Sequence, residues 1–263
     1  MHTRSTPVSD QRPIAHPHSR LHLHLAKTTE EIHEAQRLRY KVFGEELGAH
    51  LNKEIPGHDT DLFDIHCDHL LVRTHDAGEV IGTCRLISPE AAKSAGGYYA
   101  EGEFSLTQLQ HLRTGMIEIG RFCIHPDYRS GSVMALLWSG LGQYIAHRQY
   151  LYLIGCASIS MHDGGHNAAN LYQQLSAKHT MPEEYRTTPL HPLPYQKLAS
   201  GKPAVIPPLI KGYLRAGGHI CGEPAWDTDF NVADLLFLLP MTRLNKRYGR
   251  TFLDPYRTTE GFH

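Results

Sequence analysis

An acid and an arginine spaced three apart, Glu118 and Arg121, stand in the stretch EIGRFCIHPDYRSGSVMALLW. A turn carrying Arg129, Ser130, Gly131 and Ser132 follows them at once. A carboxylate such as Glu118 can take a proton from an amine, directly or through water. Small and basic residues at a helix start let a phosphate reach unpaired backbone N–H groups and the positive end of the helix dipole. Local sequence alone fits a plainly capped helix start at RSGS equally well, and an ion pair between neighbouring strands is the structural alternative for Glu118 and Arg121. Strict strand alternation would send Glu118 and Arg121 to opposite faces. A bulge near Gly120 would re-aim one of them, a device common beside active sites.

The flanking segments must hold these residues in place. MIEIGRFCIH reads as a strand, and SVMALLWSGLGQYIAHRQ as a helix with Val133, Leu136, Leu137, Leu141, Tyr144 and Ile145 on its apolar side. YLYLIGCASI suits a strand buried on both faces, and HNAANLYQQLSAKH a further helix. Upstream, LHLHL alternates as a half-buried strand. TTEEIHEAQRLRYKVFGEELG is a helix with Thr29 as its expected N-cap, and LNKEIPGHDTDLFDIHCD an acidic loop. DHLLVRTHD and GEVIGTCRLI form a predicted hairpin, followed by a Gly- and Ala-rich connection over 88–103. Downstream of a Pro-rich segment over 181–208, PPLIKGYLRAG is a short helix with Pro at its first turn. HICGEPAWD and NVADLLFLLP form a closing strand pair, and TRLNKRYGRTF a basic final helix. Residues 1–20 and 254–263 read as tails, the first disordered, around one α/β domain over 21–253.

Composition limits the alternatives. The chain has 263 residues, of which 41% are hydrophobic and 20% charged, with a formal net charge of -1. Such a balance argues against a general nucleic-acid binder. The apolar runs are too short to span a bilayer, which needs roughly 20 residues, and residues 1–20 lack the apolar stretch of a signal peptide. A cytoplasmic protein is expected, with peripheral contact to anionic lipid at the inner membrane face left open. Five widely spaced cysteines fit a reducing compartment without disulfides. The HDGGH pair, His162 and His166, reads as a polar loop opening a helix, and no metal site is expected.

The order of strand, HPDYRSGS, helix, buried strand and helix resembles the GNAT acyltransferase superfamily. That resemblance implies a mixed central sheet flanked by helices, here with a helical C-terminal extension. The family's loop, Arg/Gln-x-x-Gly-x-Gly/Ala, aligns with Arg129 to Met134, and Ser132 and Met134 replace its small positions. A coenzyme A pyrophosphate needs that cradle more than a single phosphopantetheine phosphate does, so the departure favours an acyl-carrier-protein donor. RLRYKVFGEELG, DTDLFD, HLLV, VIGTCRL and EIGRF also resemble the acyl-homoserine-lactone synthases in order. The corresponding positions are Arg39, Phe43, Asp61, Asp64, Arg85, Glu118 and Arg121. PPLIKGYLRAGGHICGEPAWD with NVADLLFLLPMTRLNKRYGR looks like the bacterial ornithine-lipid N-acyltransferases, L-ornithine N-alpha-acyltransferases sometimes labelled hemolysin-like.

This last resemblance spans about residues 20–252. It implies transfer of a 3-hydroxyacyl group from acyl carrier protein to the α-amino group of ornithine, giving lyso-ornithine lipid by direct aminolysis, with no bound cofactor. Glu118 and Arg121 then carry the chemistry, and Arg129, Ser130, Gly131 and Ser132 hold the phosphopantetheine. Arg39, Phe43, Asp61, Asp64 and Arg85 contact substrate, the acids holding a cationic amino acid and Arg85 a carboxylate or the pantetheine arm. The structural alternatives are a solvated, Asp-capped loop and an exposed strand charge. Backbone N–H groups near Phe122–Ile124 are the expected oxyanion donors. Arg243, Lys246, Arg247 and Arg250 could dock the acidic carrier or anionic lipid. No His-x-x-x-x-Asp occurs, so only the N-acylation step is expected. The rivals are a homoserine-lactone synthase, an N-acyltransferase for another amino acid, and a non-catalytic carrier-protein sensor.

Overall fold

The computed structural model describes residues 21–245, apart from 53 and 77. The expected tails, and Lys246, Arg247 and Arg250 of the basic segment, lie outside the described residues. Strand β1 (Leu21–Leu25) leads into helix α1 (Thr29–Arg39). Thr28, one residue before the expected cap, closes the helix start. Its hydroxyl accepts the Glu31 N–H while the Glu31 carboxylate accepts the Thr28 N–H. The helix then widens into a π-helical stretch, Tyr40–Glu46, of the kind that often marks functional sites.

The hairpin follows as β2 (Asp68–Thr74) and β3 (Val80–Ile87). The connection after it holds α2 (Pro89–Ala95), a 3-10 turn at Tyr99–Gly102 and the short strand β4 (Phe104–Ser105). The central strand β5 (Met116–Ile124), helix α3 (Ser132–Arg148), strand β6 (Tyr152–Ser160) and helix α4 (His166–Ser176) lie where the sequence predicts them. The Pro-rich segment contributes β7 (Thr188–Pro189), paired with β4, and a single helical turn α5 (Tyr195–Leu198). Helix α6 (Pro208–Ala216) precedes β8 (His219–Ile220), β9 (Ala225–Asp227) and β10 (Val232–Pro240). Beyond β10 the described chain forms only a 3-10 turn, Met241–Arg243, in place of the start of the expected helix.

The large sheet runs β1-β2-β3-β5-β6-β10-β8, with β9 also on β10. Every pairing in it is antiparallel except β5 with β6. Helices cover both faces. Leu137, Leu141 and Tyr144 of α3 and Ile210 and Tyr213 of α6 pack with Ile117 and Ile119. On the opposite face Ala91, Ala92, Leu109 and Leu112 pack on Ile87, Met116 and Leu236. Of the apolar α6 residues, Ile210 and Tyr213 are fully buried in this core and Leu209 and Leu214 are half-buried. No helix among the described residues is long and apolar enough to cross a membrane. Strand β6 is buried on both faces only at Leu153–Gly155. From Ala157 it alternates, with Ser158 and Ser160 exposed.

Candidate active site

Strands β5 and β6 pair over three residues only, Met116–Glu118 against Tyr152–Ile154. Past that point β5 stays with β3, and β6 stays with β10. A wedge opens between two parallel strands at the centre of the sheet. Gly155 sits where it begins. A Cβ there would lie 2.6 Å from the Ile119 carbonyl oxygen and would collide with the Tyr213 hydroxyl, so only glycine lets the strands approach before they part. The Tyr213 hydroxyl is buried with no hydrogen-bond partner. A cavity of about 260 Å³ occupies the wedge.

Glu118 lines this cavity and is otherwise buried. The 3-10 turn after α2 reaches over it: Tyr99 N–H donates to Oε2 at 2.7 Å and Ala100 N–H to Oε1 at 2.9 Å. The carboxylate is thereby oriented, and each oxygen keeps a second lone pair. Burial pushes its pKa up to about 7, against the lowering effect of those N–H groups and of Arg85. Nothing in the sequence signals the Tyr99–Ala100 clamp, because its donors are backbone groups of a connection that reads as irregular.

The bulge expected near Gly120 is present. Gly120 pairs with Arg85 and Cys123 with Thr83, so β5 holds one extra residue there. Arg121 takes φ of 50°, in the left-handed region that a non-glycine residue enters at a cost. Its side chain thereby joins Glu118 at the cavity instead of facing away. The guanidinium stacks over Tyr99 at 4.7 Å and Phe230 at 4.9 Å. Phe43, on the π-helical stretch, lines the same cavity and meets Phe230 edge-on.

Arg39, Asp61, Asp64 and Arg85 do not line that cavity. With Asp59 and Arg121 they close a ring of alternating charge. Arg39 meets Asp59 (2.8 Å) and Asp64 (2.7 Å), and Arg85 meets Asp64 (2.8 Å) and Asp61. Arg121 closes it, 3.2 Å from both Asp59 and Asp61. Arg39, Arg85, Asp59 and Asp64 are at most 2% exposed. Burial acts to raise the Asp64 pKa, but Arg39 and Arg85 hold it well below the ordinary range. Nε and Nη2 of Arg85 have no hydrogen-bond partner, and its guanidinium carbon lies 5.3 Å from the Phe63 ring centre and 5.6 Å from that of Tyr99. Asp59 is two residues ahead of Asp61 in the same acidic loop, and nothing in the sequence marks it out as the one that bridges Arg39 to Arg121.

Three carboxylates that sequence reasoning misses complete the cavity. Glu103 follows the Tyr99–Gly102 turn, Asp227 ends β9 and Asp234 lies in β10, and their oxygens fall within 4.8 Å of one another. Asp234 Oδ1 accepts the Ser158 hydroxyl at 2.7 Å. Asp227 Oδ1 accepts the N–H groups of Asp229 and Phe230, and Glu103 Oε2 is buried with no partner. Burial, then mutual repulsion, pushes the Glu103 pKa well up, and burial also raises Asp234. This is the group among the described residues that could hold a metal ion, whereas His162 and His166 belong to no such cluster. One signal was readable: Asp234 is a lone acid inside the apolar run NVADLLFLLP. Cys156 also lines the cavity, but burial and the nearby carboxylates raise its thiol pKa well above normal, which disfavours the thiolate.

The RSGS turn lies at the start of α3. Gly131 is its N-cap with φ of 100°, and no side chain caps the helix, which leaves the first-turn N–H groups available. Arg129 is paired with Glu46, at 2.6 and 2.7 Å, on an exposed surface. The Ser130 and Ser132 hydroxyls are 3.3 Å apart. A groove of about 440 Å³ runs from Arg129 and Gly131 along α6, where Lys211 and Arg215 add positive charge. Leu209 and Phe122 belong to the cavity, and Pro208 and Ile124 to the groove, so the two spaces follow one another along α6 and β5.

An acetyltransferase (GNAT) domain model matches residues 38–139. The L-ornithine N(alpha)-acyltransferase of Brucella abortus (strain 2308) is 32% identical over 250 residues, 87% of either chain. That of Rhizobium meliloti (strain 1021) is 34% identical over 248 residues, 87% of this chain and 82% of the relative. Among solved structures, the AHL synthase LasI aligns with a TM-score of 0.52 at 14% identity, over 90% of this chain and 96% of its own. FeeM, an N-acyl amino acid synthase from uncultured soil microbes, aligns with a TM-score of 0.52 at 12% identity, over 85% and 92%. These two likenesses establish the fold: a mixed central sheet flanked by helices, as in GNAT-like acyltransferases.

Proposed function

This chain belongs to the L-ornithine N(alpha)-acyltransferases, and from that premise we propose the reaction, substrates and residue roles that follow. The protein is an acyltransferase acting on the α-amino group of ornithine. The donor is a 3-hydroxyacyl thioester carried by acyl carrier protein, and the product is lyso-ornithine lipid, the first step of ornithine lipid synthesis. The observation that carries the reading is Glu118, oriented by two backbone N–H groups and facing a cavity in the wedge between parallel strands.

Glu118 takes a proton from the α-ammonium. With a pKa pushed up to about 7 it matches a base working near neutrality. The freed amine attacks the thioester carbon, and the oxygen that gains charge is met by backbone N–H groups of the Phe122–Ile124 stretch, beside the wedge. The C–S bond then breaks. The attacking nitrogen gives up its second proton and the departing sulfur takes one. Tyr213, whose buried hydroxyl has no hydrogen-bond partner at the start of the wedge, relays it by accepting the first and donating its own, and so ends neutral. No covalent enzyme intermediate is involved, consistent with a Cys156 thiol that stays protonated. Arg121 is the cation lining the cavity among the described residues and receives the ornithine carboxylate. The phosphate of the pantetheine arm lies at the α3 start, with Arg129, Ser130, Gly131 and Ser132 on one side and Lys211 and Arg215 on the other.

The test is lipid mass spectrometry on a bacterium that lacks ornithine lipid and expresses this chain alone. A 3-hydroxyacyl-ornithine without a second acyl chain is the expected product. A different acylated amino acid would overturn the acceptor and keep the mechanism. An acylated lactone would move the chain toward the homoserine-lactone synthases.

A further inference from the structure

We infer that Glu103, Asp227 and Asp234 seat the side-chain ammonium of the acceptor, and that this trio selects a diamino acid over neutral amino acids. The inference rests on the reading that the wedge cavity holds the amino-acid substrate. In the Arg39–Asp59–Arg121–Asp61–Arg85–Asp64 ring every charge already has two partners of opposite sign, and Arg121 alone of its members also lines the cavity. The trio does not: among the described residues none of its members makes an ion pair with a cation of this chain. Arg121 is near enough to act on Asp234, but its guanidinium is turned to Asp59 and Asp61.

Partial satisfaction gives the trio a direction. Asp234 and Asp227 each commit one oxygen to an internal donor, Ser158 for the first and two backbone N–H groups for the second. Glu103 Oε2 is buried and bonded to nothing. Acceptor capacity therefore remains on three carboxylates whose oxygens lie within 4.8 Å of one another, at the wall of a small cavity. A primary ammonium supplies what is missing: one compact positive charge and three N–H donors. The same cavity offers Glu118 for the α-amine and Arg121 for the carboxylate. An amino acid with a second amine can thus meet a matching group at each of its three charges. A neutral side chain would leave the trio desolvated and unpaired, and sites built to pair a polar group reject analogues that lack it.

Purified full-length protein is assayed with acyl-loaded carrier protein and either ornithine or norvaline, which has the same carbon chain without the distal amine. The expected ratio of kcat/KM, ornithine over norvaline, is about 100-fold or more. In Asp234→Asn and Glu103→Gln, which keep side-chain volume and, at 234, an acceptor for Ser158, that ratio collapses toward unity. The loss falls on the KM for ornithine while the KM for the donor holds. A wild-type enzyme that acylates both amino acids equally well overturns the inference and leaves the acyltransferase reading standing, whether or not the variants fold. Variants that slow both acceptors in proportion assign the trio a structural role and overturn it too. Activity abolished by EDTA and restored by a divalent cation would make the trio a metal site instead. Failure of the wild type to acylate any amino acid would sink the function itself, a distinct result.

Discussion

The ring of Arg39, Arg85 and Arg121 with Asp59, Asp61 and Asp64 sets three cations against three anions, each touching two of the opposite sign. Glu103, Asp227 and Asp234 gather three anions with no such partner among the described residues. Both clusters are largely withdrawn from water, yet their ionisation moves in opposite directions. The ring holds Asp64 well below the ordinary carboxylate range, and the trio lifts Glu103 and Asp234 above it. A closed ring of charge is architecture: it fixes the loop holding Asp59, Asp61 and Asp64 against β3 and the bulge of β5, and so aims Arg121. An open trio costs stability and keeps its acceptor capacity, the usual mark of a site prepared for something absent from the chain itself.

Breaking the ring should have the largest effect. Asp64→Asn leaves Arg39 and Arg85 buried with fewer counter-charges. Loss of one partner from a buried network of this kind costs about 3–5 kcal/mol, read from denaturant unfolding. A loss under roughly 1 kcal/mol, the range of an exposed pair, would show that the ring is solvated and the contrast unfounded.

Glu118→Gln is next. As the base, Glu118 should contribute about 10²–10⁴-fold to kcat, with donor KM unchanged and stability retained or raised. Its pH profile sharpens the assignment. The base must be deprotonated, so kcat/KM should rise with pH and level off above about 7, and the Glu118→Gln variant should lack that limb. A rise that persists in the variant would assign it to another group.

The pH dependence of stability separates the two clusters directly. Asp64 has a depressed pKa, so its contribution is present above the unfolded value of 3.8 and is lost as pH falls below it. Glu118 has a raised pKa, so its contribution is complete below 4.5 and is lost as pH rises from there to about 7. Glu103 and Asp234 act in the same direction as Glu118. Stability should therefore decline from about pH 5 to pH 7, an acid limb should appear below pH 4, and Asp234→Asn should flatten only the first. At pH 7 that variant should gain about 0.5–2 kcal/mol, as expected when a site that sacrifices stability for function is disarmed. A destabilised Asp234→Asn would place the trio with the ring, as structure.

The smallest effect is expected in the groove. Arg129 is held by Glu46 on an exposed surface, where such a pair is worth about 0–1 kcal/mol. Lys211→Ala with Arg215→Ala should raise the KM for acyl carrier protein several-fold, with the difference shrinking as salt is added, while kcat holds. No change in donor KM at low salt would remove the groove from the donor path.

Much of this was legible in the sequence. The period of 3.6 residues marked α1 and α3. Pro208 and Gly217 bracket α6, and Gly120 beside an acid and an arginine pointed to the bulge. Phe43, Glu118 and Arg121 do line the cavity. Arg39, Asp61, Asp64 and Arg85 were picked out by type and order, but their partners were not. Nor was the Tyr99–Ala100 clamp, nor a trio drawn from three distant segments.

The line between the two runs with the range of the forces. Caps, helix periods, positive-φ glycines and a strand's extra residue depend on neighbours a few positions away, so the sequence alone determined them. Whether a carboxylate is a ring member, a base or a waiting counter-ion depends on which strands meet and how much water remains between them. Coulomb attraction and desolvation both change severalfold with burial. Only when β5 and β6 part, and β9 and β10 bring Asp227 and Asp234 beside Glu103, does the same residue type meet three different environments.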